Sequence, residues 1–205
     1  MKKNFIDINN FTKKQIDEII TIAKKIKKNP KNFSKACKDK TLCMIFEKQS
    51  LRTRVSFNLG MQKLGGKVIE LNTKEIGFDG KREESKDVLN VLSQFVDCLV
   101  IRNNNHKEIL KLGSFNIMPI INGLTDYSHP CQILGDFLTI QENFKNYSKI
   151  LITWIGDFNN VLRSLIHLQN IYKFKLNVVV PKKILQTKKN EIKKYYNSNL
   201  NFLSD

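Results

Sequence analysis

Six short apolar runs, at residues 42–46, 67–71, 97–101, 117–121, 150–155 and 176–180, alternate with stretches in which apolar residues recur at helical spacing. Near-continuous apolar runs are what strands buried on both faces look like, and parallel neighbours need a crossover of a dozen or more residues. The alternation therefore predicts βαβ units, an α/β fold and mostly parallel sheets. Val88, Leu89, Leu92, Phe95 and Val96 form an apolar stripe between the second and third runs, and Val161, Leu162, Leu165 and Leu168 form another between the fifth and sixth. A helix over residues 12–28 opens the chain, with Thr12 as N-cap and Ile16, Ile19, Ile20, Ala23 and Ile26 on one face.

The weakest join is the polar stretch 141–149 between a helical segment and a new strand. It predicts a first domain over 1–145 and a second over 149–205. The tail from Lys182 onward is rich in Lys and Asn and is expected to hold at most one helix, which leaves the second domain two strands and an incomplete sheet.

Bulk properties narrow the partners. The net charge of +16 comes from lysines spread through nearly every segment beside Asn and Ile, without a nucleic-acid-binding motif. A solvated basic surface that helps draw in anionic substrates is the expectation, with no nucleic-acid partner. No apolar run suits a signal peptide or a bilayer span, so no membrane partner and a cytosolic location are expected. The cysteines Cys37, Cys43, Cys98 and Cys131 have neither Cys-x-x-Cys spacing nor a neighbouring Cys/His cluster, which predicts reduced, mostly buried thiols and no metal site.

Four blocks carry chemistry. After the first run the chain reads Phe46-Glu47-Lys48-Gln49-Ser50-Leu51-Arg52-Thr53-Arg54, placing hydroxyls, free amides and two guanidinium groups where a strand gives way to a helix. Such a terminus suits a phosphate. Equally, Ser50 or Thr53 could cap the helix and the arginines could be surface residues. Arg102 ends the third run at the carboxyl edge of a strand, where open α/β sheets bind ligands; a snorkelling arginine is the bland alternative. In Ser128-His129-Pro130-Cys131-Gln132-Ile133-Leu134-Gly135-Asp136, Ser128 is expected to cap a helix with Pro130 in its first turn, leaving His129 and Gln132 facing one way. Finally, Gly156-Asp157-Phe158-Asn159-Asn160 reads as turn residues followed by an N-cap.

Together these blocks resemble the signatures of the aspartate and ornithine carbamoyltransferases. Phe-Glu-Lys-x-Ser-x-Arg-Thr-Arg is similar to the family's carbamoyl-phosphate loop, with Leu51 where Thr is usual; His-Pro-Cys-Gln-Ile-Leu-x-Asp is similar to the segment that holds the carbamoyl group. Asn122-Gly123-Leu124-Thr125-Asp126 and Gly-Asp-x-Asn-Asn resemble the ornithine branch, with Phe158 where a small residue is common. The resemblance implies that Ser50, Leu51, Arg52, Thr53 and Arg102 surround the phosphate, that His129 and Gln132 polarise the carbonyl oxygen, and that Asn160 touches L-ornithine. The catalytic set so implied is Arg52, Arg102, His129 and Gln132, acting without metal or organic cofactor. Family members are trimers in which a neighbouring subunit completes the site, through a loop expected here within residues 74–84. Leu51 also resembles relatives that act on N-acylated ornithines.

The family's later Ser-Met-Gly and His-Cys-Leu-Pro loops have no match in these 205 residues. The expectation is a carbamoyl-phosphate half joined to the opening of an ornithine half, truncated at its C-terminus. That leaves open an ornithine carbamoyltransferase, an inactive remnant, and one half of a split enzyme.

Overall fold

The computed structural model describes residues 4–47, 50–72 and 83–204. Two parallel sheets organise them. The first is built from β1 (Thr41–Phe46), β2 (Lys67–Leu71), β3 (Cys98–Arg102) and β4 (Ile120–Leu124), in the order β2-β1-β3-β4. The second holds β5 (Leu151–Ile155), β6 (Lys175–Val180) and β7 (Leu200–Ser204), in sequential order. Helices connect them: α1 (Lys13–Lys28), α2 (Leu51–Lys63), α3 (Ser85–Leu92), α4 (His106–Ser114), α5 (Pro130–Asn143), α6 (Asn160–Tyr172), and two short ones, α7 (Lys182–Thr187) and α8 (Lys189–Ile192).

The expected class and parallel pairing hold, and strand order explains where a ligand can sit. From β1 the chain crosses through α2 to β2 on one side, while from β3 it crosses through α4 to β4 on the other. The carboxyl ends of β1 and β3 are thus adjacent and their connections diverge, which opens a crevice between them. One irregularity lies at that edge: the β3–β4 register pairs Ile101 with Asn122 but Arg102 with Leu124, skipping Gly123. A Cβ on Gly123 would come within 3.3 Å of the Ile101 carbonyl, so glycine allows the bulge beside Arg102.

The first helix forms as the pattern predicts. Thr12 Oγ1 accepts the Gln15 backbone N–H and Gln15 Oε1 accepts that of Thr12, a capping box, and Ile16 and Ile20 are buried. Ahead of it, the Phe5 N–H donates to the Ile120 carbonyl and the Asn122 N–H to the Phe5 carbonyl, covering the free edge of β4.

Several expectations need correction. The fourth strand is Ile120–Leu124 rather than 117–121, because Pro119 has no N–H for the ladder and Asn116 turns the chain at φ 55°. Phe95 falls beyond the end of α3 and is 71% exposed, although Val88, Leu89 and Val96 are buried as expected. The tail contains two short helices and a third strand, β7, whose apolar residues are diluted by asparagine. Asn197 and Asn199 anchor its approach: the Leu176 N–H donates to the Asn199 carbonyl, and Asn197 Nδ2 reaches the side chains of Gln169 and Asn170. All four cysteines are free but only Cys43 is buried; the other three are partly exposed.

The two sheets lie on either side of 144–150, yet one apolar cluster runs across that segment. Ile8, Phe11, Ile16 and Ile20 from the N-terminus, with Ile133 and Phe137 of α5, pack with Leu162, Ile166, Leu176, Val178 and Leu200.

Candidate active site

At the crevice a cavity of about 700 Å³ is lined by Ser50, Leu51, Arg52, Thr53, Arg102, His129 and Gln132. Seven of the eight site residues named from sequence therefore share one cavity. Asn160 does not line it, although its neighbour Val161 does.

The start of α2 settles one alternative left open by the residues. Ser50 is the N-cap, but its side chain makes no capping bond, so the first-turn N–H groups are left for another acceptor. Its hydroxyl instead accepts from Arg102 Nη1 at 2.9 Å, and Thr53 Oγ1 accepts from the same nitrogen at 3.2 Å. Each hydroxyl keeps its own proton to donate. Arg102 is thus no snorkelling strand end: it ties the edge of β3 to the first turn of α2. Burial, then the Arg52 charge, lower its basicity, though a guanidinium stays charged. The second guanidinium of the loop, Arg54, points elsewhere, pairing with Glu70 of β2 at 2.9 Å and lying over the Phe46 ring. Leu51 is 79% exposed at the rim.

On the opposite wall His129, not Ser128, is the N-cap of α5, with Pro130 as the first helical residue. The correction has a physical cause. Ser128 is held in a turn in which its N–H donates to Thr125 Oγ1 at 3.0 Å, and its hydroxyl is engaged by Ser164 at 3.2 Å, so it is not free to cap. The His129 backbone N–H donates to the same Ser164 hydroxyl at 2.9 Å. Burial and the Arg102 charge push the His129 imidazole down to about 4, so it is neutral at physiological pH. Its buried Nδ1 has no hydrogen-bond partner among the described residues.

Gln132 follows one turn later, and its Nε2 donates to Asp136 Oδ1 at 2.9 Å. That bond occupies one amide N–H and leaves the carbonyl oxygen and the other N–H for a ligand. Asp136 closes the same sequence motif, and its i, i+4 spacing from Gln132 is the signal in the sequence for this supporting bond. Cys131 also lines the cavity, but burial raises its thiol to about 12, which removes it as a nucleophile.

Asn160 is the first residue of α6. Asn159 caps that helix, accepting the N–H groups of Val161 and Leu162, as the turn-and-cap reading expects. Asn160 Nδ2 donates to the Thr125 carbonyl at 2.6 Å, engaging the loop that precedes His129. Phe158 is packed in the core against Phe202 and under Arg163, away from the cavity lining. Lys48, Gln49 and residues 74–82 of the expected inter-subunit loop lie outside the described residues. Among the described residues no His, Cys, Asp and Glu cluster is suited to a metal ion, and no helix is long and apolar enough to cross a membrane.

A strand-end arginine bonded to helix-start hydroxyls thus faces a neutral histidine across one cavity, an arrangement chemically suited to an anion beside a polarised carbonyl. Comparison with known proteins agrees. Residues 3–142 match the family model for the aspartate/ornithine carbamoyltransferase carbamoyl-P binding domain. The chain belongs to the aspartate/ornithine carbamoyltransferase family. Among relatives in this family, the ornithine carbamoyltransferase of Shewanella oneidensis is 42% identical over 179 residues, which is 87% of this chain and 59% of that protein. That of Methanospirillum hungatei is 43% identical over 168 residues, 81% of this chain and 55% of the relative. The solved ornithine carbamoyltransferase from Pyrococcus furiosus superimposes with a TM-score of 0.85 at 32% identity, covering all of this chain and 67% of that one. The chain thus spans less than two thirds of the length of these two curated relatives.

Proposed function

We propose that this chain carries the carbamoyl-phosphate site of an ornithine carbamoyltransferase, with residues 1–145 as the carbamoyl-phosphate domain and 149–205 as part of the ornithine domain. The side-chain amine of L-ornithine attacks the carbonyl carbon of carbamoyl phosphate. The bond from that carbon to the phosphate oxygen breaks, phosphate leaves with the electron pair, and the amine loses a proton to give L-citrulline, a step in arginine biosynthesis. Ser50, Arg52, Thr53 and Arg102 bind the phosphate, supported by the free N–H groups of α2. His129 and Gln132 stabilise the negative charge that develops on the carbonyl oxygen. A neutral imidazole serves there as a hydrogen-bond donor. Asn160 contacts ornithine, for which its amide would exchange or share the Thr125 carbonyl. No cofactor takes part, and a homotrimer in the cytosol is the working assembly.

The observation that carries the reading is the pair of bonds from Arg102 Nη1 to Ser50 and Thr53, which brings both phosphate-binding elements to one cavity with His129. Calorimetric titration with carbamoyl phosphate tests it. Saturable binding is expected, and Arg52→Ala should weaken it by about 1.5–3 kcal/mol, the range for a hydrogen bond to a charged group. Equal binding by the two proteins would remove Arg52 from the site.

A further inference from the structure

The buried side of α6 carries Asn160, Arg163, Ser164 and His167, at spacings that place them on one helical face. Arg163 pairs with Glu191 of α8, but all four also reach segments that precede the second sheet. Asn160 bonds the Thr125 carbonyl, Arg163 approaches the Asp126 carbonyl, and His167 meets Asp7. Ser164, fully buried, bonds both Ser128 and the backbone of His129. This polar face holds the loop that delivers His129 to the cavity.

Within that face Ser164 has the most direct bearing on His129. As an N-cap, His129 makes no side-chain capping bond, and its buried Nδ1 has no partner among the described residues. Its ring is therefore not aimed through a bond at the second nitrogen, the usual device for orienting a working imidazole. What fixes the residue is its backbone, through the N–H bonded to Ser164. We infer that Ser164 is the positioning residue of His129: its hydroxyl anchors the backbone from which the imidazole projects, so the second sheet's helix sets the geometry of the carbamoyl site. The inference rests on the reading of His129 as part of that site, and it assigns Ser164 no contact with substrate.

Two readouts test it on the full 205-residue chain. The first is the titration of the His129 imidazole by NMR, assigned with His129→Gln. The second is carbamoyl-phosphate affinity. In Ser164→Ala, and in near-isosteric Ser164→Cys, whose sulfur is a weak acceptor, the loop should relax and His129 should gain solvent. Its pKa is then expected to rise by about one unit or more toward the ordinary value, and affinity to fall about tenfold or more, the equivalent of one hydrogen bond. Ser164→Thr, which keeps the hydroxyl, should restore both. If both hydroxyl-free variants lose thermal stability while His129 titrates as in the wild type and binding is unchanged, Ser164 is only structural and the inference fails. If His129 shifts as expected while the wild type binds no carbamoyl phosphate, the positioning stands and the assignment of the cavity falls.

Discussion

His129 stands where burial and the Arg102 charge both oppose its protonation, and this has a measurable consequence for stability. Its folded-state pKa of about 4 lies below the ordinary 6.5, so between those values the unfolded chain binds a proton that the folded chain does not. The stabilising contribution is complete above 6.5 and is lost as pH falls toward 4. Urea denaturation across that window should show stability declining with acid, and His129→Gln should flatten the decline; an unchanged slope would place the imidazole in water. The identity of this residue and of Ser50, Arg52, Thr53, Arg102 and Gln132 was legible because each lies in a contiguous motif. Their supports were less so. Ser164 is 35 residues from His129 in the chain, and only the packing of α6 on the 125–129 loop reveals that it holds the backbone there. Asn160 illustrates the same limit: its motif does not announce the bond from its amide to the Thr125 carbonyl, 35 residues away.

Secondary elements were readable where periodicity and end signals agree, as in α1. Its capping box satisfies two backbone N–H groups by reciprocal bonds, and its apolar face packs into the cluster shared with the second sheet. Thr12→Ala removes the side-chain acceptor and should cost about 1 kcal/mol. In a chain of this size that corresponds to a fall of about 2–4 °C in Tm by circular dichroism. No fall would mean that packing alone fixes where the helix starts. Elements were misread where a local pattern competes with a tertiary one. The apolar pair Ile117 and Met118 looks like strand, yet the hydrogen bonds to β3 begin at the Pro119 carbonyl and the strand runs into Asn122 and Gly123, which no β propensity favours. The β7 strand was hidden for the converse reason: its pairing with β6 is tertiary, and Asn201 and Ser204 break the apolar run.

At the scale of the molecule, the two sheets contribute unequally to the proposed reaction. The first supplies a cavity in which the residues proposed to bind phosphate and to polarise the carbonyl already line one space. The second offers three strands, and its β5 and β7 leave Leu151, Ile155 and Leu203 exposed. Of the residues proposed to touch ornithine it holds Asn160, whose amide already bonds the Thr125 carbonyl. Transfer of the carbamoyl group depends on holding amine and carbonyl in near-attack geometry, and that positioning accounts for about 7–11 kcal/mol of barrier lowering. Binding one reactant well supplies none of it, because an interaction equal in ground and transition states leaves kcat unchanged. The relatives that carry the ornithine carbamoyltransferase name have substantially more chain than the part matched here. These 205 residues by themselves are therefore expected to bind carbamoyl phosphate yet form citrulline at the background rate, even at saturating ornithine. A colorimetric citrulline assay on monodisperse protein, run beside the binding titration, separates the two halves of that expectation. Turnover well above background would show that the second sheet, or an assembly of several copies, already fixes the amine, and would move the ornithine site onto residues of this chain other than Asn160.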